Sequence, residues 1–218
     1  MTQHPTQTES LRQFFENLSL EWDDHQPAGR DQLLHNLLAP FDPFFSECRS
    51  ILEVGTGTGA LMPILHQRYP QAAVLSLDFA HNMLKRAGAR QTEAVLLQAD
   101  IHHLPLAPNQ FDGLICHNAF PHFWWMMEAI TEMKRVLHTS GHLLIFHDIS
   151  REHVNAVHQK ARNPIIHEDL LPEGLRLAKM LNSTGFLPLQ VTDLDDRYII
   201  YAKSTPNLRF VSGQLTHK

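Results

Sequence analysis

Apolar residues recur along the chain at two spacings, one typical of amphipathic helices and one typical of buried strands. A stripe of apolar residues at helical spacing predicts a first helix that begins at Ser10, with Gln13 as its capping-box partner. The stripe consists of Leu11, Phe14, Phe15 and Leu18. A second helical patch covers about residues 31–38 and ends at Pro40.

Five short apolar runs predict buried strands, and each is followed by a segment with helical periodicity. The runs are residues 51–54, 72–77, 94–99, 113–116 and 142–146, the last preceded by a turn at Ser140 and Gly141. Helical material over about 151–184 then ends at Gly185, and the runs 186–191 and 198–202 predict a connected pair of strands. Alternation of strand and helix predicts an α/β fold, in which helices cover both faces of a parallel sheet.

A glycine-rich turn follows the first predicted strand, where Gly55, Gly57 and Gly59 occupy alternate positions before a helix. Glycine suits a turn that needs unusual backbone angles and leaves no room for a Cβ atom. A helix N-terminus after such a turn is a common ligand site. The spacing G-x-G-x-G differs from the dinucleotide-binding spacing G-x-G-x-x-G. Glu53 stands two residues before the first glycine, at the end of the strand.

Acidic residues and histidines end the other predicted strands. Asp78 follows the second strand at 19 residues after Gly59, close to the ~20 residues expected for an acid that binds a ribose in a βαβ unit. Asp100 follows the third strand, His117 the fourth and His147 the fifth. Because ligands of parallel sheets bind outside the carboxyl ends of the strands, these residues predict one site at that edge.

These motifs, in this order, resemble those of the class I S-adenosylmethionine (SAM) methyltransferases over about residues 51–149 and the C-terminal strand pair. The residues that carry the resemblance are Glu53 with the three glycines, Asp78 with Met83 and Leu84, Asp100 with Leu104 and Pro105, and Phe111 with Asp112. The resemblance implies a Rossmann-like, doubly wound sheet of seven strands, mostly parallel, with an antiparallel strand in the C-terminal hairpin. The chain is most similar to the branch that methylates small molecules such as quinones.

The resemblance also implies that SAM is the methyl donor and S-adenosylhomocysteine (SAH) the product. It places Glu53 near the ammonium group of SAM, Asp78 on the ribose hydroxyls, and Asp100 with the N–H of Ile101 on the adenine. The other cofactor-binding residues that it implies are Gly55, Thr56, Gly57, Gly59, Phe79, Met83 and His117.

Three segments are expected from the same comparison of motifs. Residues 1–48 form an N-terminal helical cover, residues 49–204 a SAM-binding domain with a helical insertion at about 151–184, and residues 205–218 a tail. In class I methyltransferases such N-terminal additions often lie over the SAM cleft. Whether this one does so, or only packs on the sheet edge, stays open.

The amino-acid composition limits the cellular location and the classes of binding partner that we expect for this protein. A length of 218 residues suits one α/β domain with additions, and a net charge of −5 gives no broad basic surface for nucleic acid. Cys48 and Cys116, without a C-x-x-C pair, fit a reducing cytoplasm. The first ten residues contain no Lys or Arg, unlike a secretory signal, and no apolar run approaches the ~18 residues of a membrane span. We expect a cytoplasmic protein with a small-molecule acceptor, of open oligomeric state.

The chain contains 16 histidines, and three interpretations of those near the fourth and fifth strands stay open. In the first, His117 or His147 is a general base, next to a helix whose face of Arg151, Asn155 and His158 either roofs the acceptor or is solvated. In the second, a divalent metal is bound by ligands from the set His117, His122, His147 and His158. In the third, these histidines have no chemical role.

Methyl transfer from SAM is an in-line displacement, so catalysis is mainly positioning, with deprotonation where the acceptor is a hydroxyl. We expect SAM-dependent transfer to a small, apolar or aromatic acceptor. Four aromatic residues after the fourth strand either line its pocket or pack in the core: Phe120, Phe123, Trp124 and Trp125. The alternative is a protein that binds SAM or SAH without methylation, or a SAM-using enzyme of other chemistry, because the fold does not decide the function.

Overall fold

A mixed β-sheet forms the centre of the computed structural model, which describes residues 4–25, 29–91, 93–161 and 163–206. Its strands are β1 (Ser50–Val54), β2 (Ala73–Asp78), β3 (Val95–Gln98), β4 (Phe111–His117), β5 (Leu137–His147), β6 (Phe186–Leu194) and β7 (Arg197–Ser204). Their order in the sheet is β3-β2-β1-β4-β5-β7-β6. β1 to β5 pair in parallel, whereas β7 pairs antiparallel with both β5 and β6. The predicted seven-stranded, mostly parallel sheet with an antiparallel C-terminal pair is therefore confirmed.

Helices connect the strands and cover the sheet. They are α1 (His4–Leu18), α2 (Arg30–Leu38), α3 (Asp42–Phe45), α4 (Met62–Arg68), α5 (His81–Arg90), α6 (Met126–Val136), α7 (Arg151–Lys160) and α8 (Gly174–Ser183). Turns of 3₁₀ helix occupy Trp22–His25, Ala39–Phe41 and Phe120–His122. Across the described ranges, no helix is both long enough and apolar enough to cross a membrane.

The start of the first helix differs from the sequence prediction. α1 begins at His4, so Ser10 lies inside the helix and cannot be its N-cap. Pro5 falls in the first turn, where the missing backbone N–H costs nothing. The predicted capping box is therefore wrong, and Gln13 instead donates to Asn17 within the helix.

Alternate residues of the central strands point to opposite faces of the sheet, so two apolar clusters form. Leu52 and Val54 belong to one cluster, with side chains of α6 and α8. Ile51 belongs to the other, with side chains of α2, α3 and α4. The two-residue period of the strand therefore places Glu53 on the same face as Ile51.

The predicted turn at Ser140 and Gly141 is part of a bulge inside β5. The strand already begins at Leu137, which pairs with Phe111, and the next pair of the ladder is His142 with Gly113. Ser140 takes a positive φ of 70° within the extra residues. Helix α6 therefore passes directly into a long strand, and the bulge absorbs the turn.

Candidate active site

A cavity opens at the carboxyl ends of β1, β2, β3 and β4. It encloses about 780 Å³ of space outside protein atoms, including the open space at its mouth. β2 ends with Asp78 at its wall, and the loops after the strands supply Gly55, Gly57, Phe79, Asp100 and Ile101. The structure thus brings together most of the residues implied by the motifs, at the predicted edge of the sheet.

The glycine turn forms the floor of this cavity. Gly55 has a φ of 74°, and a Cβ atom there would stand 2.3 Å from the Cβ of Ala119, so the turn packs closely against the loop after β4. Gly57 has a φ of 55°, and a Cβ there would meet no atom within 4 Å. The chain therefore lets a ligand approach the backbone at Gly57.

Asp78 joins the glycine turn to the start of α5. Its Oδ2 accepts from the amide of Gly57 at 2.9 Å, and its Oδ1 accepts from the amide of Ala80 at 2.9 Å. Burial raises the pKa of Asp78 to about 6, although these hydrogen bonds oppose the shift. The carboxylate therefore lies on the cavity wall and is already oriented by backbone amides.

Glu53 lies behind the turn and is not among the residues that line the cavity. Its Oε2 accepts from the hydroxyls of Thr56, at 3.0 Å, and Ser76. Burial raises the pKa of Glu53 to about 7, against the effect of these two hydrogen bonds. This arrangement therefore does not favour direct contact between Glu53 and a ligand ammonium group. Glu53 instead holds Thr56, and through Thr56 it supports the glycine turn.

Asp100 lies where the third strand opens into the cavity. Its Oδ1 accepts from the amide of His102 at 2.9 Å and lies 2.5 Å from Nδ1 of the same residue. Burial acts to raise the pKa of Asp100, but the bonds from His102 outweigh it and lower the pKa. Asp100 is therefore an ionised acceptor beside the apolar side chain of Ile101, which is 4% exposed.

Helix α1 and the 3₁₀ turn after it form one side of the cavity, through Thr8, Leu11, Phe15 and Trp22. Two carboxylates attach this segment to the rest of the chain. Glu16 accepts from the amides of His81 and Asn82 at the N-terminus of α5, at 2.9 and 2.6 Å, where the helix dipole favours a negative charge. Asp23 accepts from Thr58 at 2.7 Å and pairs with Arg86 and Arg90.

His117 and His147 do not line the cavity, although both end their strands as predicted. His117 stacks on Phe146, with ring centroids 4.6 Å apart, and its Nε2 lies 3.7 Å from Asp148. His147 is 2% exposed and packs against Tyr198. Burial lowers the pKa of His117, and it lowers the pKa of His147 to about 3. The general-base role expected of either residue has no route to an acceptor in the cavity.

Asp148, the residue after β5, is the centre of a buried polar network. It pairs with Arg30 at 2.8 Å and accepts from Asn118 at 2.6 Å. Burial acts to raise the pKa of Asp148, but His117 and Arg30 together hold it well below its ordinary value. Asn118 lines the cavity with a positive φ of 52°, so the network shapes the wall of the cavity from behind.

Arg151 lies away from the cavity, contrary to the prediction of a roof over an acceptor. Its Nε donates to Asp193 of β6 at 3.0 Å. Asn155 bonds with the backbone of Leu171. His158 is buried, and its Nδ1 bonds with the carbonyl of Asp169. The polar face of α7 therefore packs on the chain that follows it, because that segment offers unpaired backbone groups to it.

His122 is the histidine of this group that reaches the cavity. Its Nδ1 lies 2.7 Å from Oδ2 of Asp169, whose side chain is only 1% exposed. The other oxygen of Asp169 accepts from Nε1 of Trp124. Sequence reasoning missed Asp169, since 47 residues separate it from His122 and no local motif marks it.

The predicted divalent metal finds no support in the structure. Within the described ranges, no three His, Cys, Asp or Glu side chains form a group that could hold a metal ion. The four expected ligands are His117, His122, His147 and His158. They fail to converge because His122 and His158 bond with Asp169, His117 faces Asp148, and His147 packs on Tyr198.

Aromatic rings make up much of the remaining wall. Phe123, Trp124 and Trp125 line the cavity, whereas Phe120 is fully buried in the core. Phe79 and Phe15 pack edge to face across it, with centroids 5.8 Å apart. Three of the four aromatic residues singled out after the fourth strand therefore face the cavity, and one packs below it.

These residues fit SAM as a ligand. Open space above Gly57 admits a close approach to the backbone, and two carboxylates on the wall can accept from hydroxyl and amino groups. The apolar surfaces of Phe79, Met83 and Ile101 suit a purine ring. The roles of the individual residues toward SAM remain predictions.

Comparison with known proteins places the chain among methyltransferases. A family model described as a methyltransferase domain matches residues 52–145. The malonyl-[acyl-carrier protein] O-methyltransferase of Geobacter sulfurreducens is 32% identical over 85% of this chain and 73% of its own length. The demethylmenaquinone methyltransferase of Deinococcus radiodurans is 29% identical over 63% of this chain and 68% of its own length.

A solved structure agrees in fold. The SAM-dependent methyltransferase of Aquifex aeolicus superimposes with a TM-score of 0.66, covers 85% of this chain and 97% of its own, and is 18% identical. The strand order, the glycine turn with its acidic strand ends, and the first of the two relatives lead to one conclusion. The chain belongs to the class I SAM-dependent methyltransferases, in the branch that contains small-molecule enzymes.

Proposed function

We propose that the chain transfers the methyl group of SAM to a small, apolar or aromatic acceptor held in the cavity. The observation that carries this proposal is the composition of the wall: the cofactor motif residues and a continuous aromatic surface belong to the same cavity. Bound SAM supplies an electrophilic methyl group on a sulfonium. A donor and a flat acceptor can therefore lie side by side within one enclosure.

We infer the following contacts with SAM. Asp78 accepts from the ribose hydroxyls, because its carboxylate lies on the wall and is held by Gly57 and Ala80. Asp100 accepts from the adenine amino group, and the N–H of Ile101 faces the ring. Glu53 acts indirectly, since it supports Thr56 and the turn. α1 covers the cavity and excludes water from the reacting groups.

The names of the two relatives indicate two kinds of acceptor. One is named for malonyl-[acyl-carrier protein] and the other for demethylmenaquinone. An aromatic cavity favours the second kind of acceptor, although neither compound itself is assigned to this chain. The cytoplasmic location expected from the cysteine content stays a prediction.

Two measurements test the proposal. Calorimetry should show that the protein binds SAH, and that Asp78→Asn weakens binding whereas Ser183→Ala, on the exposed end of α8, does not. Transfer of labelled methyl from SAM into a cell extract should then label a small-molecule fraction. Label in protein or RNA would overturn the acceptor class. SAH binding without any label in the extract would favour the alternative of a SAM-binding protein without methylation activity.

A further inference from the structure

The pair of His122 and Asp169 stands at the cavity wall, where His122 lines the cavity. His122 ends the 3₁₀ turn after β4, and Asp169 lies between α7 and α8. Asp169 accepts from His122 through one oxygen and from Trp124 through the other. Both oxygens of this buried carboxylate therefore serve to orient side chains that face the cavity.

The bond to Asp169 decides which nitrogen of His122 carries the hydrogen. An ionised carboxylate only accepts, so Nδ1 of His122 holds the hydrogen and donates it. Nε2 then holds the lone pair in the neutral ring. The ring is also fixed by packing, since Phe15 lies edge to face at 4.8 Å and His158 lies at 5.0 Å.

We propose that His122, oriented by Asp169, is the general base of this methyltransferase and that the acceptor is an un-ionised hydroxyl compound, phenolic or enolic, rather than a carboxylic acid. This inference rests on the proposed function. It assigns to His122 the role that the sequence pattern suggested for His117 or His147, because only His122 of these three lines the cavity.

The charge of the cavity supports the class of acceptor. Among the described residues that line it there are two carboxylates, Asp78 and Asp100, and neither Lys nor Arg. A carboxylate acceptor would find no counter-charge from the protein among these residues, so the sulfonium of SAM alone would offset the cost of its burial. Arg30, which lies behind the wall, is already paired with Asp148 at 2.8 Å. A carboxylate would also need no base, so the oriented pair would have no purpose for it.

The proposed step couples deprotonation of the acceptor to methyl transfer. Nε2 of His122 takes the proton of the acceptor hydroxyl, and an oxygen electron pair forms the new O–C bond to the methyl group. The bond between that carbon and sulfur breaks, its electron pair stays on sulfur, and the neutral thioether SAH leaves. His122 becomes an imidazolium stabilised by Asp169 and returns its proton to water. General-base catalysis of this kind contributes ~10²–10⁴-fold to the rate.

Other titratable groups face His122 and must be counted in any pH profile. They are Asp169 in direct contact, His158 of α7, and His147 at the end of β5. Burial lowers the pKa of both His158 and His147, so these two rings stay neutral near pH 7. The remaining group is the Asp169 carboxylate, which stabilises the imidazolium that His122 forms in the proposed step.

The experiment compares the parent with His122→Gln, Asp169→Asn and the control His153→Gln, which changes an exposed histidine of α7. The probes are 2-naphthol and 2-naphthoate, matched in their ring system, with labelled SAM. We expect transfer to 2-naphthol by the parent and the control, a kcat about 100-fold lower in His122→Gln, and at least about 10-fold lower in Asp169→Asn. The Kd for SAH should stay within about 3-fold of the parent in all variants, since neither residue is assigned to the cofactor.

Two further readouts separate a base from a structural residue. Nitrogen NMR of the SAH-free protein should show His122 protonated at Nδ1 in the parent and a loss of this preference in Asp169→Asn. The rate of His122→Gln should rise with pH where the parent has reached its plateau, because the acceptor must then ionise unaided. Preferred transfer to 2-naphthoate, an unchanged kcat in His122→Gln, or protonation at Nε2 alone would overturn this inference. A parent that fails to bind SAH would instead overturn the proposed function.

Discussion

Replacement of Gly55 by alanine tests the tight contact between the glycine turn and the loop after β4. Gly55 has a φ of 74°, and an added Cβ would lie 2.3 Å from the Cβ of Ala119. Gly29 is a matched control, since its φ is 79° but a Cβ there would meet no atom within 4 Å. Both substitutions place alanine in a left-handed backbone conformation, but only Gly55→Ala also brings the new Cβ against Ala119.

The magnitudes follow from these two terms. A left-handed backbone costs a non-glycine residue about 1–2 kcal/mol, and an added carbon in a packed site costs about 1–3 kcal/mol more. We therefore expect Gly29→Ala to lower the free energy of unfolding by about 1–2 kcal/mol and Gly55→Ala by about 2–5 kcal/mol. The double variant Gly55→Ala/Ala119→Gly removes the collision and should recover about 1–3 kcal/mol relative to the sum of the single changes.

Urea unfolding followed by circular dichroism measures these free energies, provided that the slope of the transition stays constant. Calorimetric titration with SAH on the same samples reports whether the turn keeps its shape. If Gly55→Ala costs no more than Gly29→Ala, the loop at Ala119 yields to the added Cβ and there is no collision. Effects of Gly55→Ala and Ala119→Gly that add within about 0.5 kcal/mol, as for independent sites, would likewise show that the two residues do not collide.

Three more predictions concern the buried charges. Without ligand, the free energy of unfolding should fall as the pH rises from 4.5 to about 7, because Glu53 stays protonated to a higher pH in the folded chain than in the unfolded chain. Urea titrations of Glu53→Gln should show this fall reduced by up to ~3 kcal/mol. Affinity for SAH should weaken as the pH falls through about 6, where Asp78 is protonated, and calorimetry of Asp78→Asn should show a Kd at least about 10-fold higher with that pH dependence gone. Arg30→Met leaves Asp148 buried and unpaired, so urea unfolding should show a loss of about 3–5 kcal/mol.

Each of these predictions has a contrary result. Unfolding of the parent and of Glu53→Gln with the same pH dependence would show that Glu53 ionises alike in both states. A pH-independent SAH affinity down to pH 5 would mean that the Asp78 carboxylate does not bind the ligand. A loss below about 1 kcal/mol in Arg30→Met would mean that Asp148 reaches solvent or another cation.

The sheet and the cofactor edge could be predicted from sequence because both depend on local patterns. Buried parallel strands are continuous apolar runs, and the turn between β1 and α4 needs glycine at fixed positions. Asp78 ends β2 and Asp100 stands two residues after β3, so the parallel topology alone brings them to one edge. The alternation of side chains along β1 still changes the role of one motif residue. Glu53 points to the face opposite Val54 and supports the turn from behind.

The side of the cavity around His122 could not be predicted in the same way. The sequence favoured His117 and His147 because they end strands, yet packing places both behind the wall. His122 reaches the cavity because the 3₁₀ turn after β4 carries it there. Its partner Asp169 is 47 residues away, and Arg30 is 118 residues from Asp148. Contacts between such distant positions depend on how helices and loops pack, which no local spacing encodes.

The attachment of α1 has a consequence for the timing of turnover. The helix forms one side of the cavity, and Glu16 and Asp23 hold its segment to α5 and to the glycine turn. Loss of these contacts would widen the cavity on that side, so we expect the residence time of SAH to depend on how often this segment detaches. If the chemical step is fast, detachment of α1 then sets the pace of the cycle. Movement of the N-terminal helix would then be the rate-limiting step of turnover, although the helix supplies none of the reacting groups.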